Sequence, residues 1–373
     1  MINIPIYKPY IKKYKKSAIE AIESEWISNY GEFINKSNEL LKKKLGIKYS
    51  ILMNNGTSAT HCLLLALKYK YPNITTLYIP NNVFIAPLNC SLNEFEICNI
   101  KVMKMNDKTF NIDTSEEYIK SLDKNSAILI IHNLGNIVNV PRLSRIRNDC
   151  VFIEDNCEGI FGKYEEIYSG TNKNTLCSAV SFYANKTITT GEGGAFFTND
   201  ESVFNYISKV YSQGMSDIRY IHNVKAFNYR MTNIEAALLF EQLLDLDNIL
   251  LLKQTIFDNY NNLLNSLIKE EKIIILENEE NTEKANWMYS IVIPNINYKD
   301  IQTYLNNENI EVRPFFCDIR NHEHLKKLNI EYEESKIAKY GVMLPSFPEL
   351  TYDEQKYICN NLSNYINNII IQK

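Results

Sequence analysis

The chain has 373 residues, of which 45% are hydrophobic and 23% charged, with a formal net charge of -4. That balance excludes a disordered or fibrous polymer. The negative total argues against nucleic acid as a partner, although a local basic pocket can still hold a phosphate. The length exceeds what one hydrophobic core ordinarily serves, so two domains are expected, the larger of them α/β.

The first residues, MINIPIYKPYIKKYKK, lack the continuous apolar core of a signal peptide, and no later apolar run approaches a membrane span. Eight cysteines are scattered without a C-x-x-C pair or the spacing of a zinc or iron–sulfur site. A cytoplasmic protein with reduced thiols, no metal and no membrane contact is therefore expected. Further along, ATHCLLLALKYKY predicts a helix over 59–71 and TLYIP a short strand over 76–80. AILIIH (127–132), VFIED (151–155) and AVSFYA (179–184) read as buried strands, and ESVFNYISKVYSQG (201–214) as a helix. Such alternation implies a mostly parallel sheet flanked by helices. From 233 to about 268 the pattern is one or two long amphipathic helices, which places the domain boundary near 245. A large domain over 1–245 and a smaller α/β domain over 246–373 are expected. In the second, YSIVIPN, YKDIQTYLNNENI, EVRPFF and DEQKYICNNLSNYINNII alternate strand and helix.

Three segments carry chemistry. NNGTSATHCLLLAL sets Gly56, Thr57 and Ser58 at a helix start, where free backbone N–H groups and the positive helix end can hold a phosphate. Alone, this is an ordinary N-cap. FIEDNCEG closes an apolar strand with Glu154, Asp155 and Glu158, and carboxylates at a strand's carboxyl end lie where α/β folds keep their ligands. SFYANKTITTGEGG puts Lys186 just past the next strand in a small, polar, glycine-ended loop. A lysine that can form a Schiff base and an aspartate that can pair with a pyridine nitrogen are the two parts pyridoxal phosphate chemistry needs. Phosphate cup, aspartate and lysine in that order outweigh three separate ordinary explanations.

These strings, together with QGMSDIRYIHNVKAFNYRMTNIEAAL, resemble the sugar-nucleotide aminotransferases of the DegT/DnrJ/EryC1/StrS family, which have the pyridoxal-phosphate fold type I. The likeness runs from EWISNYGEFI through EVRPFF and is strongest to the perosamine and viosamine synthase type, which aminates carbon 4 of 4-keto-6-deoxyhexoses. The resemblance implies that Lys186 carries the cofactor and that Asp155 partners its ring nitrogen. It implies Thr57, Ser58 and Ser181 around the phosphate, Glu158 near the ring hydroxyl, and Phe84 stacked on the ring. Asn228 matches an asparagine that reaches the phosphate of the neighbouring subunit, so a homodimer with shared sites comes with the likeness. The substrates it implies are L-glutamate and a nucleotide-linked ketosugar.

Arg219, Lys225 and Arg313 are candidates for the substrate's diphosphate, because arginine's fork matches phosphate oxygens and lysine supplies a point charge. Asn29 and Tyr30 are candidates for the sugar or base. Two departures matter. RPFFCDIRNHEHL differs from the run that follows this arginine in many relatives, and its His322 and His324 read as solvated loop residues. EDNCE also occurs in the 3-dehydratase branch, which replaces the lysine by histidine, whereas Lys186 is present here. The alternatives are a 3-aminotransferase or cyclitol aminotransferase of the same family, or a non-catalytic binding protein on the same scaffold.

Overall fold

Residues 3–332 and 334–371 are described in a computed structural model of the protein. Seven strands, Tyr49–Met53 (β1), Leu77–Pro80 (β2), Ile100–Met103 (β3), Ala127–Ile131 (β4), Val151–Asp155 (β5), Thr175–Ser181 (β6) and Gly194–Thr198 (β7), form one sheet in the order β1-β7-β6-β5-β4-β2-β3. The pairings from β6 across to β3 are parallel, and only β7 runs the other way, antiparallel to both β6 and β1. Every residue of β4 and of β6 is buried. A strand covered on both faces has no polar side to alternate with, which is why AILII and TLCSAVS carry no charge.

The structure refines the expected boundaries. AVSFYA belongs to a strand that starts earlier and ends at Ser181, so Lys186 sits on a turn rather than at the strand tip. The helix opening at Gly56 runs to Lys70 and is buried along Ser58–Leu64 against the sheet. The stretch after 233 breaks into helices Asn233–Leu244, Leu246–Leu263 and Asn265–Lys269. A capping box between Thr232 and Glu235 starts the first of them. At the break, the Asp245 carboxylate accepts bonds from Lys13 Nζ (2.7 Å) and the Tyr14 hydroxyl (2.5 Å).

Beyond that break, Ile274–Ile275 (β8), Tyr289–Val292 (β9), Arg313–Pro314 (β10) and Gly341–Leu344 (β11) make a second, antiparallel sheet in the order β8-β9-β11-β10. Its core joins Ile256 and Tyr260 from the long helix to Ile291, Ile301, Val342 and Leu362. Ile4 packs in the same core and bridges Ile310, so the segment around Ile4 is fastened to this second core. No described helix is long and apolar enough to cross a membrane.

Candidate active site

The parallel strands of the large sheet end on one edge, and a cavity of about 990 Å³ lies between that edge and the second sheet. Successive residues of a strand face opposite sides, so Glu154 and Asp155 part company at the end of β5. Glu154 is fully buried and accepts bonds from His132 Nε2 (2.9 Å), Gly170 N (3.0 Å), the Tyr164 hydroxyl (3.1 Å) and the Thr175 hydroxyl. That network anchors the sheet from behind. Asp155 lines the cavity, its Oδ2 accepting from the Thr60 hydroxyl at 2.9 Å and its Oδ1 from Cys157 N at 3.1 Å. Glu158 also lines the cavity and accepts from Leu134 N at 2.8 Å. Burial pushes its carboxyl up to about 7, against the opposing pull of the Lys186 charge.

Around the helix start, the Asn55 side chain accepts from Ser58 N at 2.8 Å, which leaves Gly56 and Thr57 to face the cavity beside Ser181. The first turn holds no acidic residue, so the positive helix end is uncompensated. Glycine is required for the close approach: a Cβ on Gly56 would stand 2.7 Å from Ser181 Cβ, and one on Gly194 would stand 2.6 Å from Asn55 O. The glycine that closes the lysine loop in sequence therefore opens β7 and lets the helix start press against the sheet.

Lys186 reaches the cavity from a turn closed by its own N–H to Tyr183 O at 2.9 Å. Its Nζ lies 4.4 Å from the centroid of the Trp287 ring, within cation–π range. The Trp287 Nε1–H donates to Asn185 O at 2.9 Å, so one indole grips both the loop and its amine. Phe84 lies at the cavity, 54% exposed, 6.2 Å edge-on from Phe316. Arg313 faces in from β10, its guanidinium 5.2 Å from the Tyr7 ring and only loosely paired with Glu311 at 3.9 Å.

The cavity thus brings together Gly56, Thr57, Phe84, Asp155, Glu158, Ser181, Lys186 and Arg313. Among the described residues, Ser58, Asn29, Tyr30, Arg219, Lys225 and Asn228 do not line it. The Ser58 N–H is taken by the N-cap, while Tyr30, Arg219, Lys225 and Asn228 are exposed. Sequence reasoning missed Thr60, Cys157, Trp287, Lys299 and Lys339, all of which line the cavity. Thr60 had a local signal, being one helical turn beyond Thr57. Trp287 had only its rarity, as one of two tryptophans in the chain.

The family model for the DegT/DnrJ/EryC1/StrS aminotransferases matches residues 10–363. The chain is 30% identical to a GDP-perosamine synthase of Escherichia coli O157:H7, over 98% of this chain and 99% of that one. It is 28% identical to a GDP-perosamine synthase of Vibrio cholerae, over 98% and 99% of the two chains. The solved E. coli GDP-4-keto-6-deoxy-D-mannose-3-dehydratase with bound hydrated PLP superposes with a TM-score of 0.86 at 19% identity, covering 97% of this chain and all of that one, a likeness of fold. With its strand-end carboxylate, lysine loop and helix start assembled in one cavity, this chain belongs to the DegT/DnrJ/EryC1/StrS aminotransferase family.

Proposed function

We propose that the protein is a pyridoxal-phosphate-dependent aminotransferase that moves the amino group of L-glutamate to carbon 4 of a GDP-linked 4-keto-6-deoxyhexose, giving a perosamine-type sugar nucleotide. The observation that carries the reading is the convergence of Lys186 and Asp155 on one cavity, in a chain matching GDP-perosamine synthases along nearly its whole length.

The residues present fit the cofactor. The close approach that glycine permits at Gly56 sets an uncompensated helix start beside the Ser181 hydroxyl, a suitable cup for a phosphate. Asp155, held by Thr60 and Cys157, offers a carboxylate to a protonated ring nitrogen, and Phe84 offers an aromatic face. When bound, the cofactor supplies an electron sink for the carbon being deprotonated. Lys186 would hold it, and the Lys186 amine would take a proton from the donor's α-carbon. In the second half-reaction the same amine returns a proton to carbon 4 of the sugar. Arg313, paired only loosely with Glu311 among the described residues, serves the substrate's phosphates.

The working unit we propose is a homodimer. Asn228 is exposed and does not line its own chain's cavity, and Trp26, Tyr30, Ile218, Tyr220 and Ile221 expose large apolar surface on the segments that hold Asn29, Arg219 and Lys225. Pairing would cover that surface and bring those polar residues to the partner's site. Mixed Lys186→Ala and Asn228→Ala subunits should then regain activity; heterodimers that stay inactive would place Asn228 outside the shared site. The reaction itself is tested by incubating the protein with L-glutamate and GDP-4-keto-6-deoxymannose. NMR should find the amine at carbon 4, and an amine at carbon 3 or no product would overturn the assignment.

A further inference from the structure

We propose that Lys253 is a positioning residue for the reaction, fixing the backbone of Trp287 so that its indole holds the Lys186 loop and faces the Lys186 amine. Lys253 lies in the helix Leu246–Leu263, is 4% exposed, and takes no part in the chemistry assigned above. Its Nζ donates to Trp287 O at 2.7 Å and to Ser346 O. Burial alone pushes its ammonium down to about 7, and among the described residues no carboxylate compensates it. A buried amine without a counter-charge is destabilising relative to an apolar side chain of similar size, so its two donor bonds are what this position supplies.

Those bonds fall where they govern the reactive lysine. Trp287 enters β9 and Ser346 leaves β11, and Tyr289 N donates to Ser346 Oγ at 2.8 Å across the same junction. On the other side the Trp287 backbone is pressed against Gly135, where an added Cβ would stand 3.2 Å from Trp287 N and Cβ. Held between Lys253 and Gly135, the indole reaches Asn185 O through its N–H and the Lys186 amine through its ring face. A void of about 20 Å³ borders Lys253, Trp287 and Lys186, with room for one water molecule to satisfy the third ammonium N–H. The titratable groups lining it are Tyr7, Lys8, Tyr10, Lys186 and Lys253, with no carboxylate among them.

The effect on turnover rests on the aminotransferase reading, whereas the state of Trp287 does not. With Trp26→Phe as parent, Trp287 is the only indole, and its emission and acrylamide quenching are read in cofactor-free protein. Lys253→Met should red-shift the emission, raise quenching and lower kcat by about 10²-fold with KM little changed, as expected for a reactive group displaced by about an ångström. Lys253→Gln, which keeps an N–H donor without the charge, should fall between parent and Met in both readouts. It also preserves the test if the Met variant does not fold. Emission that responds although the wild-type protein has no transaminase activity would support the positioning and overturn the reaction. The inference is overturned if Lys253→Gln matches the parent in both emission and kcat, or if a folded Met variant loses thermal stability alone.

Discussion

The strand-end wall of the cavity takes Gly56, Asp155, Ser181 and Lys186 from the ends of β1, β5 and β6 and the turns after them, at one edge of a mostly parallel sheet, whereas the facing wall takes Trp287, Arg313 and Lys339 from short antiparallel strands and their turns. On the first wall the backbone does the placing: each residue ends a buried strand or follows it within a few positions. On the second, side chains do it. Trp287 is set by Lys253 and the Gly135 contact, and Arg313 lies over the Tyr7 ring. The first wall therefore suits reacting groups that tolerate little displacement, and the second suits groups that bind and adjust.

Substitutions can break or sharpen that contrast. The largest effect is expected from Lys186→Ala, which should lower transamination by about 10⁴-fold or more, since it removes the amine that carries the proton in both half-reactions. In the wild type, borohydride reduction with pyridoxal phosphate should fix the cofactor to the peptide containing Lys186. A label on another lysine would dismantle the strand-end assignment. Asp155→Asn keeps the shape and removes the charge, and should slow turnover by about 10²–10³-fold with thermal stability nearly preserved. Near-normal turnover would make Asp155 a turn residue.

Arg313→Ala probes the other wall. KM for the sugar nucleotide should rise about tenfold, the usual consequence of losing a charged hydrogen bond, with kcat changed much less. A fall confined to kcat would move Arg313 to the reacting side of the comparison. The smallest effect is on stability. Burial holds the Glu158 carboxyl at about 7 in the fold, above its value in an unfolded chain, so protonation favours folding. That stabilisation is complete below the ordinary glutamate range and is lost as pH rises through about 7. The melting temperature of the cofactor-free wild type should fall over that window relative to Glu158→Gln, and parallel curves would show that the carboxyl is solvated.

Much of the strand-end wall was legible because it is local. VFIED, with Asp155 at its tip, has the same limits in sequence and structure, and the helix after NNG was recognisable from its apolar run and small N-terminal residues. The strand β7 was not, since GAFFT sits behind a glycine-rich loop and gains its role only by pairing antiparallel with two strands distant in the chain. The split between Glu154 and Asp155 follows from strand alternation once the strand is known, but which of them faces the cavity depends on what covers each side of the sheet. Lys253 gave no signal and Trp287 only its rarity, because neither has a motif and each matters only through contacts made across the fold.

By itself, then, the sequence determined the alternation of strands and helices and the order of helix start, carboxylate and lysine. These depend on periodicity and short spacings, which the chain carries locally, while the family came from the resemblance of whole strings. Only the tertiary structure decided that Ser58 gives its N–H to an N-cap, that Arg313 enters the cavity while Arg219 and Lys225 stay outside it, and that a buried lysine steadies the tryptophan beside Lys186. Such choices depend on which surfaces meet when two sheets close over one cavity, and no local pattern encodes a meeting between residues a hundred positions apart.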